Sequence, residues 1–402
     1  MKNKFLLRTL ILIFISGRIC VAQTAYITNV TSNTVSVVDL VTNTLTATVP
    51  VGLMPMGVCV SPDASKVYIT NYNSNSVSVI NSATNTVSAT VPVGSGPGGI
   101  VVSPDGSKVY VASETSNSVS VIDASTNTVS ATIPVLYVSA GICITPDGSK
   151  VYVVNYSSNL VSVISTATNT VSTTISVGQH PIGLAVTPDG SKVYCTNDDG
   201  NSVSVINTAT NSVITTISVG ANPLGVAVSP DGSKAYVANS IGNSISVINT
   251  ATNSVSATIT AFNYPYGVSL TPDGSKVYTT SYYNNRIYEI NTLTNSVVDS
   301  VAVGAQPVAF GNFISTYSTV QINETTNNTL FSVYPNPTSG TFTLSLPSGD
   351  VEIIVTNILG QQLIKTTTTQ ENIDLQLDEN GIYFISIKTN HRTAVRKLIV
   401  NH

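Results

Sequence analysis

Pro62, Pro104, Pro146, Pro188, Pro230 and Pro272 each open a copy of "PDGSK" or its variant "PDASK", 42 residues apart, with no insertion across five intervals. A period held this strictly marks a repeat architecture, in which each unit buries its apolar surface against its neighbours. Aligning the chain on the period extends it to seven units, because Tyr26, Tyr68, Tyr110, Tyr152, Tyr194, Tyr236 and Tyr278 share one phase. Two further phases hold Asn in every unit, Asn33 through Asn285 and Asn43 through Asn295. Asn tolerates positive φ and hydrogen-bonds its own turn, so both phases are expected as hairpin corners.

Within a unit the pattern divides into four short strands. In the second copy these are "GVCVS", "KVYIT", "SVSVI" and "VSATVPV", the third alternating Val with Ser at period two. "PDG" between the first two is a tight turn: Pro presets φ, Asp caps the backbone and Gly accepts a left-handed conformation. Only 9% of residues are charged, against about 25% in ordinary soluble domains, and Ser, Thr, Asn and Val fill the deficit. Seven such units fit either a β-propeller or a linear β-solenoid. The ends decide. The first unit begins at its second strand, "TAYITN", and an extra first-strand segment, "PVAFGNFI", follows the seventh unit. The last segment supplies what the first unit lacks, as a closed ring requires. The expected fold is all-β: a seven-bladed propeller of four-stranded antiparallel blades over residues 23–315, closed by a C-terminal innermost strand. A linker at 316–330 and a small β-sandwich at 331–402 follow.

"SKVYVVN", "NSVSVINTATN" and "TISVGANPLGVAVSPDG" resemble the YVTN family of seven-bladed propellers, over every blade. That family implies the ring and leaves function open, since it includes surface-layer and binding proteins and related rings carry enzymes. The tail, with Tyr334, Pro335, Asn336 and Pro337 at its start, Gly381 and Tyr383 in a late strand and Lys397 before the last apolar run, resembles the C-terminal sorting domain of type IX secretion cargo. The resemblance implies the type IX machinery as partner, passage through the outer membrane, removal of this domain, and a secreted or surface-attached product. Residues 1–22 agree: Lys2, Lys4 and Arg8 precede the apolar run "LILIFIS", and small residues allow cleavage after Ala22, the layout of a signal peptide. Arg18 argues against a lipoprotein signal at Cys20. Three cysteines remain after cleavage, an odd number, and Cys59 and Cys143 share a phase filled elsewhere by small residues, so they are read as core.

Residues that every blade repeats are scaffold, which removes the six turn Asp and the six Lys from Lys66 to Lys276. Asp39 and Asp123 occupy a phase where other copies have Asn, so they are turn residues too. What remains charged in the ring is Glu114, Asp198, Asp199, Arg286, Glu289 and Asp299, with His180 its one histidine. Strand parity puts the "PDG" and "TATN" turns on one face and the variable loops on the other. Tyr72, Tyr156, Tyr264, Tyr266, Tyr282 and Tyr283, with Arg286, fall on the variable face and are expected to bind a glycan or protein, since flat rings with polar tips give contact area at low entropic cost. The alternative is that these rings cover blade ends. His180, Asp198 and Asp199 are the candidates for holding a metal or for acid and base chemistry. The sequence has no cofactor motif, and a net charge of −4 without a basic run argues against nucleic acid. The reading is a binding module rather than an enzyme, with a surface-layer or adhesive structural protein as alternative and a propeller lactonase or lyase as second alternative. Glu289, where six copies have Val, has no account at this level.

Overall fold

The computed structural model describes residues 23–136, 138–315, 331–336, 338–357, 362–378, 381–389 and 393–400. The signal-peptide segment, the linker, Tyr137 and Pro337 lie outside them. The described residues fall into two compact units, one on each side of the linker.

The first unit is a ring of seven blades. The second blade runs Pro55–Val60, Lys66–Asn71, Ser76–Asn81 and Thr86–Pro92, adjacent in chain order and antiparallel. Burial falls from the inside outward. Val67, Ile69, Val77 and Val79 are completely buried between neighbouring blades, while Thr86, Ser88 and Thr90 of the outer strand face solvent. The phase tyrosines fill the seams, Tyr68 to Tyr278 all nearly inaccessible. At the far end, the Tyr152 and Tyr194 hydroxyls each donate at 3.1 Å to the corner Asn of the next blade. Both Asn phases are left-handed in all seven copies, with φ between 45° and 56°.

Ring closure follows the expectation. Thr24–Asn29, Thr34–Asp39 and Thr44–Pro50 form a three-stranded first blade. The segment at 307–315 completes it from inside through Ala25–Ile314 and Asn29–Pro307 bridges, with Tyr26 N–H to Phe313 O at 2.9 Å and Val308 N–H to Thr28 O at 3.0 Å. The same segment also bonds the second blade's inner strand, Val58 N–H donating to Phe310 O at 3.0 Å.

The seam between the seventh and first blades explains Glu289, which is 5% exposed. Its carboxylate accepts from Lys276 at 2.8 Å, from the Tyr278 hydroxyl at 2.8 Å and from the Asn43 amide of the first blade at 2.7 Å. Asn43 also donates to Asp299 at 2.7 Å, so one amide is held by two carboxylates that face each other across strands. At ordinary seams Lys150, Lys192 and Lys234 instead donate to a turn carbonyl of the next blade, at 2.7–2.9 Å. Glu289 thus adds charge-assisted bonds to the seam between the last blade and the first.

The second unit packs a three-stranded sheet, Ser332–Tyr334, Thr341–Ser345 and Asn372–Gln376, with a four-stranded sheet of Gln362–Thr368, Val351–Asn357, Gly381–Lys388 and Thr393–Val400. Phe342, Leu344, Ile353, Ile385, Ile387 and Leu398 form its core, which makes it the expected small sandwich. Tyr334 is half-exposed and joined to Pro335 by a cis bond. Asn336 follows in the same bend. Gly381 opens the strand in which Tyr383 is buried, and Lys397 lies opposite Phe384 in register. Among the described residues no helix is long and apolar enough to cross a membrane.

Candidate binding face

The variable loops are held by a device that recurs around the ring. In six of them the residue before the proline is left-handed: Met54, Gly96, His180, Asn222, Tyr264 and Gln306, with φ from 51° to 65°. Its N–H donates to the side-chain oxygen of the preceding blade's corner Asn, at 2.8–3.0 Å. The loop backbone is therefore fixed by scaffold, which leaves the side chain at its tip free to vary.

In the seventh blade that side chain is Tyr264. It meets Tyr283 at 5.3 Å and Tyr282 at 5.8 Å between ring centroids, and Tyr282 meets Tyr283 edge-on at 5.1 Å. Edge-on and tilted contacts at these distances are the favoured aromatic geometries. Tyr283 is 60% exposed, and burial shifts the Tyr282 phenol upward. These three rings form one platform.

The other candidates go elsewhere. Tyr266 sits inside the ring against Phe310, edge-on at 5.9 Å, and burial pushes its phenol well above the usual range. The Tyr72 hydroxyl donates to Glu114 of the next blade at 3.0 Å. Tyr156 stacks on His180 of the next blade at 4.4 Å, nearly parallel. Both tie neighbouring blades together, closer to the blade-covering alternative than to a free patch. Arg286 donates from Nε and Nη2 to the hydroxyl and carbonyl of Ser300, at 3.0 and 2.9 Å, on the outer strand of its own blade.

His180, Asp198 and Asp199 are together but divided. His180 Nδ1 is 2.6 Å from Asp199, with both side chains partly exposed. Asp198 accepts the Asn222 amide at 2.6 Å, and burial raises its carboxyl pKa. The pair can hold or pass a proton at the imidazole. Among the described residues no three His, Cys, Asp or Glu side chains converge as a metal site requires. The channel is narrowed by Ile100, Ile142, Leu184, Val226, Val268 and Phe310. Burial pushes the thiols of Cys59, Cys143 and Cys195 upward, leaving them as inert core.

Sequence reasoning missed Phe310 in the channel lining and the link from corner Asn to loop. The second had a visible signal: each corner Asn precedes its bonded loop residue by 21 positions.

The fold is a seven-bladed propeller followed by a separate small sandwich. Residues 332–401 match the family described as secretion system C-terminal sorting domain. That places the chain among proteins secreted or attached at the outer surface, and it implies contact with the secretion machinery. Residues 81–222 match the seven-bladed lactonase propeller family, and residues 190–333 match the YNCE-like propeller family. No curated protein matches the chain. Among solved structures it is similar to hydrazine synthase of Kuenenia stuttgartiensis, at 25% identity over 63% of this chain and 87% of that one, TM-score 0.59. A functionally unknown protein of Desulfotomaculum acetoxidans matches at 18% identity over 72% and 99%, TM-score 0.64. Virginiamycin B lyase of Staphylococcus aureus matches at 17% identity over 62% and 84%, TM-score 0.54. The last two likenesses concern the fold alone.

Proposed function

We propose that the ring, once outside the cell, is a recognition module that binds a glycan or protein through its variable face. The observation that carries this is the platform of Tyr264, Tyr282 and Tyr283, three mutually packed rings on backbone that the scaffold fixes. Preorganised aromatic surface loses little entropy on binding. The apolar lining of the channel at Ile100, Leu184, Val226 and Phe310 favours a surface role over chemistry there. Removal of the sorting domain during export leaves the ring as the active part.

The test is a screen of glycans and outer-surface proteins with the mature chain, repeated with Tyr282→Ala and Tyr283→Ala. A ligand lost in the variants, with thermal stability retained, supports the reading; one bound equally well by them removes the platform from it. A second reading rests on the lactonase-family match, whose span includes His180, Asp198 and Asp199. In that case lactone hydrolysis is measurable and is abolished by His180→Ala.

A further inference from the structure

We propose that two clefts on the outer rim, away from the tyrosine platform, are paired subsites for one uncharged polysaccharide chain. The first lies between the first and second blades, has a volume of about 530 Å³ and is flanked by Pro50 and Pro92. The second lies between the second and third blades, measures about 570 Å³ and is flanked by Pro92 and Pro134. Every residue lining the first has its counterpart of the same type 42 positions on in the second. The clefts therefore present the same chemistry twice, one blade apart, with a shared wall.

That chemistry selects a class of ligand. The linings contain no charged side chain and no aromatic ring; they are Ser and Thr hydroxyls, an Asn amide, and Pro and Val carbons. An ion would lose its hydration here without a countercharge, and a purely apolar ligand would leave the hydroxyls unpaired. A pyranose offers hydroxyl edges and C–H faces together. Donors stand ready for it. The Asn75 amide nitrogen and the Thr90 hydroxyl make no hydrogen bond among the described residues. One layer beneath, each cleft also has a buried polar atom without a partner, in a phase whose Oδ1 is likewise unpartnered at Asn29, Asn155, Asn197 and Asn239. Asn71 Oδ1 lies behind the first; its amide holds Ser76 and Ser78 of the lining, and its side chain abuts Gly52. Ser113 Oγ, in the same phase, lies behind the second against Gly94.

The seam after them is built differently. At the next seam the corresponding phases hold Leu136, Leu160 and Ser176 in place of glycine, serine and proline. That seam also supplies a conservative way to fill the others, since Leu160 is native to a strand of the same design. The variants are Ser76→Leu for the first cleft and Ser118→Leu for the second.

The probes are neutral glucan, mannan and galactan, each as a disaccharide and as a long soluble chain, titrated against the full mature protein by calorimetry. At least one long chain is expected to bind tenfold or more tighter than its disaccharide, because the second contact becomes intramolecular. Either single variant halves the disaccharide stoichiometry and removes the chain-length gain, and the double variant loses both. Tyr282→Ala and Tyr283→Ala leave this binding unchanged, so it stands or falls apart from the platform. The proposal is overturned if no neutral saccharide binds, if a charged polysaccharide is preferred, or if the double variant folds with wild-type thermal stability and binds as before.

Discussion

Ala64 stands where five other blades have glycine, and it adopts φ 58°. A side chain in that region costs about 1–2 kcal/mol, partly offset here by burial of the methyl group. Ala64→Gly is therefore expected to stabilise the ring by about 0.5–1 kcal/mol, read as a higher denaturation midpoint. No gain would mean that the turn tolerates the strain. The sequence made this position legible, since Ala breaks a phase otherwise filled by Gly. It made the corner Asn residues legible as turns too, and all fourteen are left-handed. Their second task was hidden, because the partner N–H belongs to a loop of the next blade and only ring geometry brings the two together. The same limit applies to Tyr72 and Tyr156: composition shows that they can be exposed, whereas packing against Glu114 and His180 shows what they touch.

Strands and turns were readable as elements because four signals agree: period-two alternation, PDG turns, Asn corners and fixed unit length. The closing segment was readable by subtraction, as the strand missing from the first blade. The seam chemistry was not. Glu289 has no account within its own strand, and its meaning depends on Asn43, 246 residues away in the chain. Removing one partner of a buried ion pair costs about 3–5 kcal/mol, whereas replacing the pair by apolar groups can be neutral. Lys276 is partly exposed, which moderates the first figure. Lys276→Met, which leaves the Glu289 and Asp299 carboxylates facing each other, is expected to destabilise the ring by about 2–4 kcal/mol and to speed amide exchange first in 24–29 and 307–315. Lys276→Met combined with Glu289→Val removes both members of the pair and recovers most of that loss. Equal damage in both variants would mean that the carboxylate is not what Lys276 serves.

At the scale of the whole molecule, the near-repetition of one blade makes titration collective. Burial pushes the phenols of Tyr26, Tyr68, Tyr152, Tyr194 and Tyr236 up to about 12 from an ordinary value of 10. Folded pKa values above unfolded ones give stability that is complete below pH 10 and is lost as pH rises through 12. Tyrosinate absorbance should thus show a late, cooperative step coinciding with unfolding near pH 12. A single smooth titration near 10 would mean that the seams are open to solvent. Export was legible from the tail because its markers sit close together in the chain; the ligand was not, because a binding face assembled from loops of different blades has no contiguous motif. The most direct measurement is tyrosine footprinting of the mature protein, free and bound to whatever outer-surface material retains it. The account predicts that Tyr283 and Tyr264 react readily in the free protein and are protected in the bound one, with the PDG face unchanged. Protection confined to the PDG face, with Tyr283 still reactive, would contradict it.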